Sequence, residues 1–247
     1  MQLTLANISV SIPQHRFRRV AAAIARQVRL HFQPEWGFGA TLKAVALPLD
    51  SKRAPIQKDA DAIIYLGESS NDPTTGVAGA LGYHSANNRR LPYGFVYLDI
   101  CREYGEDWPS TLSHEVLELL ADPNVVFTIS GSHPKDRKRI VYYDLEVCDP
   151  TQRDTYRVGD VEVSNFVGRS YYGMTGGSGR TNHMNLPLRA FGVRPNGYLQ
   201  YETGGTSHQI YGRSVTPRQK AAKKKMGTIR RNARRTERLK HRRAKNP

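Results

Sequence analysis

The last thirty residues of the chain cannot join a hydrophobic core. From Arg218 to Pro247 there are 14 Lys or Arg and one acid, Glu237, so this stretch carries +13 of the +15 on all 247 residues. It is almost without aliphatic side chains, and its cations repel one another. The fold must come from upstream. There, 23 basic residues (37 less 14) and 21 acidic ones (22 less 1) leave a near-neutral body. A body of this length can bury a sizeable core as one large domain or two small ones.

Several function classes are excluded early. No apolar run approaches the roughly 18 residues of a membrane span. The N-terminus "MQLTLANISVSIP" lacks the charged, apolar and small-residue succession of a signal peptide. No membrane partner is expected, and an intracellular origin is the simplest reading. Cys101 and Cys148 offer no disulfide framework and sit among apolar residues, as small buried side chains do.

Along the body, "LTLANISVSI" reads as a strand. Pro13 to Phe32 reads as a helix, with Phe17, Val20, Ile24 and Val28 at helical spacing. Thr41–Leu49 and Asp61–Gly67 read as buried strands. The glycine-rich Thr74–His84 reads as an edge strand or a loop, and Tyr93–Ile100 as a further strand. A helix follows, with Pro109 at its start, a core stripe of Leu112, Val116, Leu119 and Leu120, and Asp122-Pro123 as its stop. Arg139–Pro150 and Thr155–Val167 read as strands of a hairpin or small sheet. Gly168–Gly212 is glycine-rich, with short extended pieces such as "GYLQYE".

The chemistry concentrates in "TLSHEVLELLADP", Thr111 to Pro123. His114 and Glu118 are four apart and share one helical face, about 200° round from Leu112. Imidazole nitrogen and carboxylate oxygen are both zinc ligands, and a catalytic zinc takes three protein ligands and keeps one position open. The third is sought in "DLEVCDP", which offers Asp144, Glu146 and Asp149. Strand alternation puts Asp144 and Glu146 on one face, and Asp149-Pro150 ends the strand in a way that can swing Asp149 back. Glu146 is preferred, then Asp149; Asp122, His84 and His183 are further alternatives. One histidine with two carboxylates is a hard site, open to manganese, iron or calcium as well as zinc. Against this stands the plain alternative of a charged, solvated helix face with a locally satisfied histidine.

The order strand, helix, strand, strand, glycine-rich edge, strand, motif helix resembles the N-terminal subdomain of the zincin metalloproteases. "AIIYLG", "GVAGALGYH", "GFVYLDI" and "TLSHEVLELL" fall in the matching order, over roughly residues 1–123. The motif departs from His-Glu-x-x-His at its last position. "ALGYH", "SHEVLELLADP", "EVCDP", "VSNFV" and "PNGYLQY" also resemble the landmarks of a group of bacterial and phage proteins with His-Glu-x-x-Glu helices. The zincin resemblance implies a twisted mixed sheet with a backing helix and an active-site helix at residues 1–123; the order of elements adds a β-rich, irregular part at 124–212, so the expected class is α+β. It also implies metal-dependent hydrolysis, of a peptide or protein substrate, with Glu115 as the general base that activates water. The competing expectation is a non-catalytic, nucleic-acid-associated structural or virion protein on the same fold. The location is then cytoplasmic or virion-associated.

Other motifs carry less. "MTGGSGRT" looks like a phosphate loop but lacks the spacing of one. Met174 is a candidate methionine turn or a plain loop residue, and Tyr171 or Tyr172 a candidate oxyanion donor. The tail, residues 213–247, is expected to be disordered or helical and to bind nucleic acid through Arg218, Lys223, Lys224, Lys225, Arg230, Arg231, Arg234, Arg235, Arg238, Arg242 and Arg243. Without aromatics it contacts phosphates rather than reading bases. The alternative is a merely solubilising tail.

Overall fold

The alternation in "LTLANI" and "AIIYLG" builds the centre of a sheet whose two faces are both covered. In the computed structural model, which describes residues 1–46, 60–71, 82–86 and 91–224, five strands line up in the order β2-β1-β3-β5-β4. They are β1 (Gln2–Asn7), β2 (Thr41–Ala46), β3 (Ala62–Gly67), β4 (Gly82–Ala86) and β5 (Pro92–Tyr97). Four run parallel; β4 is antiparallel to β5 and forms the edge. The chain is therefore α+β, with a mixed sheet.

One face of the sheet carries Leu3, Leu5, Ile64, Leu66 and Val96 into the main core. The other carries Ala6, Ile63, Tyr65, Phe95 and Tyr97 into an aromatic cluster, where Tyr65 and Phe95 stack at 4.8 Å. Helix α1 (Gln14–Gln27) lays Phe17, Val20, Ala21 and Ile24 on the main core. The expected helix end at Phe32 is not a stop. The chain passes through a π-helical turn, Val28–Phe32, into a last turn α2 (Gln33–Trp36). Gly37, with φ of 81°, ends it by entering the left-handed region that glycine tolerates.

Three sequence expectations need correction here. Thr41–Leu49 is not a buried strand: β2 is the sheet's outer edge and half exposed, and its expected end, 47–49, lies outside the described residues. Tyr93–Ile100 is strand only to Tyr97, and Leu98–Tyr104 is a short helix, α3. Its apolar residues fit either period, and Asp99 turns the chain by accepting bonds from the amides of Ser70 and Ile100. Arg139–Pro150 is strand only to Asp144, as β7 (Asp136–Asp144); Asp149–Thr151 forms a 3-10 turn. Glu146 therefore does not follow strand alternation. Of the glycine-rich Thr74–His84, residues 74–81 lie outside the described residues, and the rest belongs to β4.

The C-terminal part holds a four-stranded sheet, β11-β10-β7-β6, and a two-stranded hairpin, β8-β9. Its strands are β6 (Thr128–His133), β8 (Thr155–Val158), β9 (Val161–Ser164), β10 (Tyr198–Thr203) and β11 (Thr206–Tyr211). The motif helix α4 (Trp108–Ala121) runs between this part and the first sheet. Ser113 Oγ accepts the amide of Ser164 at 2.8 Å, tying α4 to β9. Val147, Cys148, Val163, Phe166 and Tyr171 share the main core with α1 and α4, so residues on both sides of 123 build one interior. Among the described residues no helix is long and apolar enough to cross a membrane.

Candidate metal centre

Helix α4 is buried on every side, and that changes what its acids can be. All 14 of its residues are buried, including His114, Glu115 and Glu118. Leu112, Val116, Leu117 and Leu119 are fully enclosed, each contributing about 1.5–3 kcal/mol by leaving water. The ordinary solvated charged face is thereby excluded. Buried carboxylates are costly unless they are paired, hydrogen-bonded or bound to metal.

His114 Nε2 lies 3.2 Å from Glu118 Oε1 and 3.4 Å from Asp149 Oδ1. Glu118 Oε1 also accepts the amides of Cys148 and Asp149, both at 3.2 Å. These bonds lock the 148–149 turn onto α4 and explain why Asp149 faces the helix. Burial alone would lower the His114 pKa; the Glu118 charge and hydrogen bonds to Asp149 and Glu118 outweigh it and push it up to about 10. In the absence of a metal, the two carboxylates beside His114 favour its charged, imidazolium form.

The same spacing suits a metal. Two ligands at about 2.0–2.2 Å from a tetrahedral zinc are about 3.3–3.6 Å apart. The His114–Asp149 distance falls in that range and the His114–Glu118 distance lies just below it. His114, Glu118 and Cys148 also each offer a donor atom within 4.8 Å of one another. Without a metal, burial and the nearby Glu118 and Asp149 charges push the Cys148 thiol well above its ordinary pKa. His114 and Glu118 thus stand near the separation of two ligands of one divalent metal, with Asp149 on the other side of the His114 nitrogen.

Glu146, preferred in sequence as the third ligand, does not stand with His114 and Asp149. It groups with His84 and Glu118 on another side of the cluster. Its carbonyl accepts the Tyr172 hydroxyl at 3.0 Å, and Tyr171 donates to the Gly192 carbonyl at 2.7 Å. Both tyrosine hydroxyls are thus spent on backbone rather than aimed at a substrate. Glu115 Oε2 is 3.5 Å from His84 Nδ1. The backbone of edge strand β4 passes so close to Glu115 that a Cβ on Gly82 would lie 2.6 Å from its Oε1.

The remaining alternatives separate clearly. Asp122 caps the helix exit, accepting the amides of Val126 at 3.0 Å and Phe127 at 2.8 Å. Asp144 accepts Gln200 Nε2 at 2.7 Å. His183 lies in a ring stack with His31, Tyr156 and Phe166, 4.6 Å from the His31 ring. Met174 is exposed on its loop. The loop through "MTGGSGRT" is not a phosphate cradle: the amides of Arg169 and Ser178 already bond the Glu35 carboxylate, at 2.8 and 2.7 Å.

The pocket beside α4 is small, about 40 Å³, and is lined among others by Ser110, Thr111, His114, Glu115, Asp149 and Tyr198. At its mouth stands the first part of the basic tail. Residues 217–224 are helical. Lys223 Nζ lies 3.8 Å from Asp149 Oδ1 and 4.2 Å from the Tyr198 ring centre, and it donates to Gln152. Arg218 pairs with Glu103 and stacks on Tyr104. Lys225, Arg230, Arg231, Arg234, Arg235, Arg238, Arg242 and Arg243 lie outside the described residues. Sequence reasoning undervalued His84 and missed the placement of Lys223. His84 sat in a glycine-rich stretch with no motif spacing, and Lys223 looked like any other cation of the tail.

Comparison with protein-family models, with curated proteins and with solved structures gives no match.

Proposed function

We propose that the chain is a metal-dependent hydrolase acting on peptide bonds, on a zincin-like fold, with a basic tail that binds nucleic acid. The observation that carries the reading is the buried His114 nitrogen, which has Glu118 and Asp149 carboxylate oxygens at 3.2 and 3.4 Å. Glu115 follows His114 in sequence and is equally buried. The antiparallel edge strand β4 beside the motif helix supports the zincin likeness. His114, Glu118 and Asp149 would hold the metal, most simply zinc, with manganese, iron or calcium as alternatives for so hard a donor set. Such a metal polarises a carbonyl and lowers the pKa of water.

The chain's own groups do the rest. Glu115, held between the β4 backbone and His84, accepts a proton from the attacking water. The water oxygen bonds the carbonyl carbon, the C–N bond breaks, and Glu115 passes the proton to the departing nitrogen. His114→Ala should lose the metal, whereas Glu115→Gln should keep it and lower hydrolysis about 10²–10⁴-fold. Full metal occupancy in His114→Ala would refute the site.

A second reading has its own support. Lys223 stands on Asp149 at the mouth of a 40 Å³ pocket, an arrangement that suits a closed, non-catalytic structural or virion protein using the tail to hold nucleic acid. A panel of peptides incubated with several divalent metals discriminates the two. Cleavage that stops on chelation and in Glu115→Gln supports the enzyme.

A further inference from the structure

Flanking Glu115 does not account for the burial of His84. The histidine is 3% exposed, and among the described residues neither ring nitrogen makes a hydrogen bond. A neutral imidazole carries one donor and one acceptor, and burying both unsatisfied is expensive. The ring is fixed by its strand: His84 pairs with Gly94 across β4 and β5.

Its nitrogens are turned toward acids. A His84 nitrogen and one carboxylate oxygen each from Glu118 and Glu146 lie within 4.8 Å of one another. Glu115 Oε2 is 3.5 Å from Nδ1 without forming a hydrogen bond. Glu146 is held by Tyr172, whose hydroxyl fixes its carbonyl.

We propose that His84, Glu118 and Glu146 form a second divalent-cation site, adjoining the first and sharing Glu118 with it. Glu118 belongs to both groups, since its Oε1 is 3.2 Å from His114 Nε2 while it also stands with His84 and Glu146. A carboxylate between two cations is the usual bridge of two-metal hydrolytic centres, whose ions are about 3.5–4 Å apart. Glu118 and Glu146, both buried, bring two negative charges to the His84 position, and one dication there would offset them. One imidazole with two carboxylates suits manganese, iron or zinc. The His84 position stands on its own ligands; its bridging to a first ion rests on the proposed function.

The test uses full-length, metal-stripped protein titrated with Mn²⁺, with bound metal counted by elemental analysis and the pair observed by electron paramagnetic resonance. Wild type should take two equivalents per chain and show the spectrum of a spin-coupled pair. His84→Asn and His84→Ala should each take one and lose the coupling; His114→Ala should also take one. Circular dichroism checks that each variant is folded. A single equivalent in wild type, lost in His114→Ala and kept in both His84 variants, overturns this inference and leaves the proposed function standing. A single equivalent lost in the His84 variants and kept in His114→Ala overturns the ligand set of the proposed function instead. No binding by folded wild type overturns both.

Discussion

Replacing Gly82 by alanine tests the packing of β4 against the motif helix without assuming any activity. The added Cβ would lie 2.6 Å from Glu115 Oε1, 2.9 Å from its Cγ and 3.0 Å from its Cδ. Carbon contacts are comfortable at about 3.5–4.0 Å, so the Glu115 side chain must retreat by roughly 0.5–1 Å. It has little room, because it is buried and His84 Nδ1 is 3.5 Å from its other oxygen. Overpacking of this kind costs about 1–3 kcal/mol. A Gly-to-Ala change returns about 0.4–1 kcal/mol through the unfolded chain. The net loss is about 0–2.6 kcal/mol, and for a protein of this size each kcal/mol lowers Tm by roughly 2–4 °C.

The decisive arm is the double variant. Glu115→Ala removes all three atoms that the new Cβ meets. In that background Gly82→Ala should be neutral or slightly stabilising, a coupling of about 1–3 kcal/mol. Gly94→Ala is the control, because its Cβ meets the Tyr83 carbonyl oxygen at 2.9 Å, a backbone atom that Glu115→Ala does not move. Denaturant melts of the singles and doubles measure both cycles. Equal cost of Gly82→Ala in the two backgrounds would refute the close approach of β4 to Glu115.

Two further outcomes are expected. The His183 pKa is lowered from 6.5 to about 4, first by burial and then by His31 and Arg180. Between those values the unfolded chain binds the extra proton and the folded one does not, so stability should fall as pH drops from about 6.5 to about 4. His183→Phe, which keeps a ring in the stack, should flatten the melting-temperature profile over that window; an unchanged slope refutes the assignment. For the tail, removing residues 225–247 takes away ten of the fourteen terminal cations (14 less Arg218, Lys220, Lys223 and Lys224) and spares the docked helix. If about six to ten phosphates are engaged, full-length affinity for duplex DNA should fall roughly 10³–10⁵-fold between 50 and 200 mM salt, and the truncated chain should bind negligibly. Equal affinity of the two would reject the tail as the binding arm.

Local signals were readable where one period dominated. "AIIYLG" and "VEVS" became strands, and Pro109 and Asp122 mark the ends of α4 nearly where the sequence puts them. Leu98–Ile100 was not legible because a short apolar run fits helix and strand alike. The site was half legible. His114 and Glu118 announce themselves by four-residue spacing, and Asp149-Pro150 does break the strand direction. The separation of Asp149 from Glu146 depends on the turn at 148–149, whose amides bond Glu118, and no local pattern encodes a bond across thirty residues. His84 reaches the cluster only through sheet register.

The complete burial of α4 bears on how this chain can vary. In α1, six of the fourteen residues are buried, leaving the rest free to exchange among polar types. In α4 all fourteen are enclosed, by the first sheet on one side and by the C-terminal hairpin and turns on the other. Each position there must satisfy a shape, and three must also satisfy a charge. Substitution tolerance should therefore be distributed very unevenly along the sequence, with one helix-long block that accepts almost nothing. Descendants of this fold would diverge around that block long before they diverged within it.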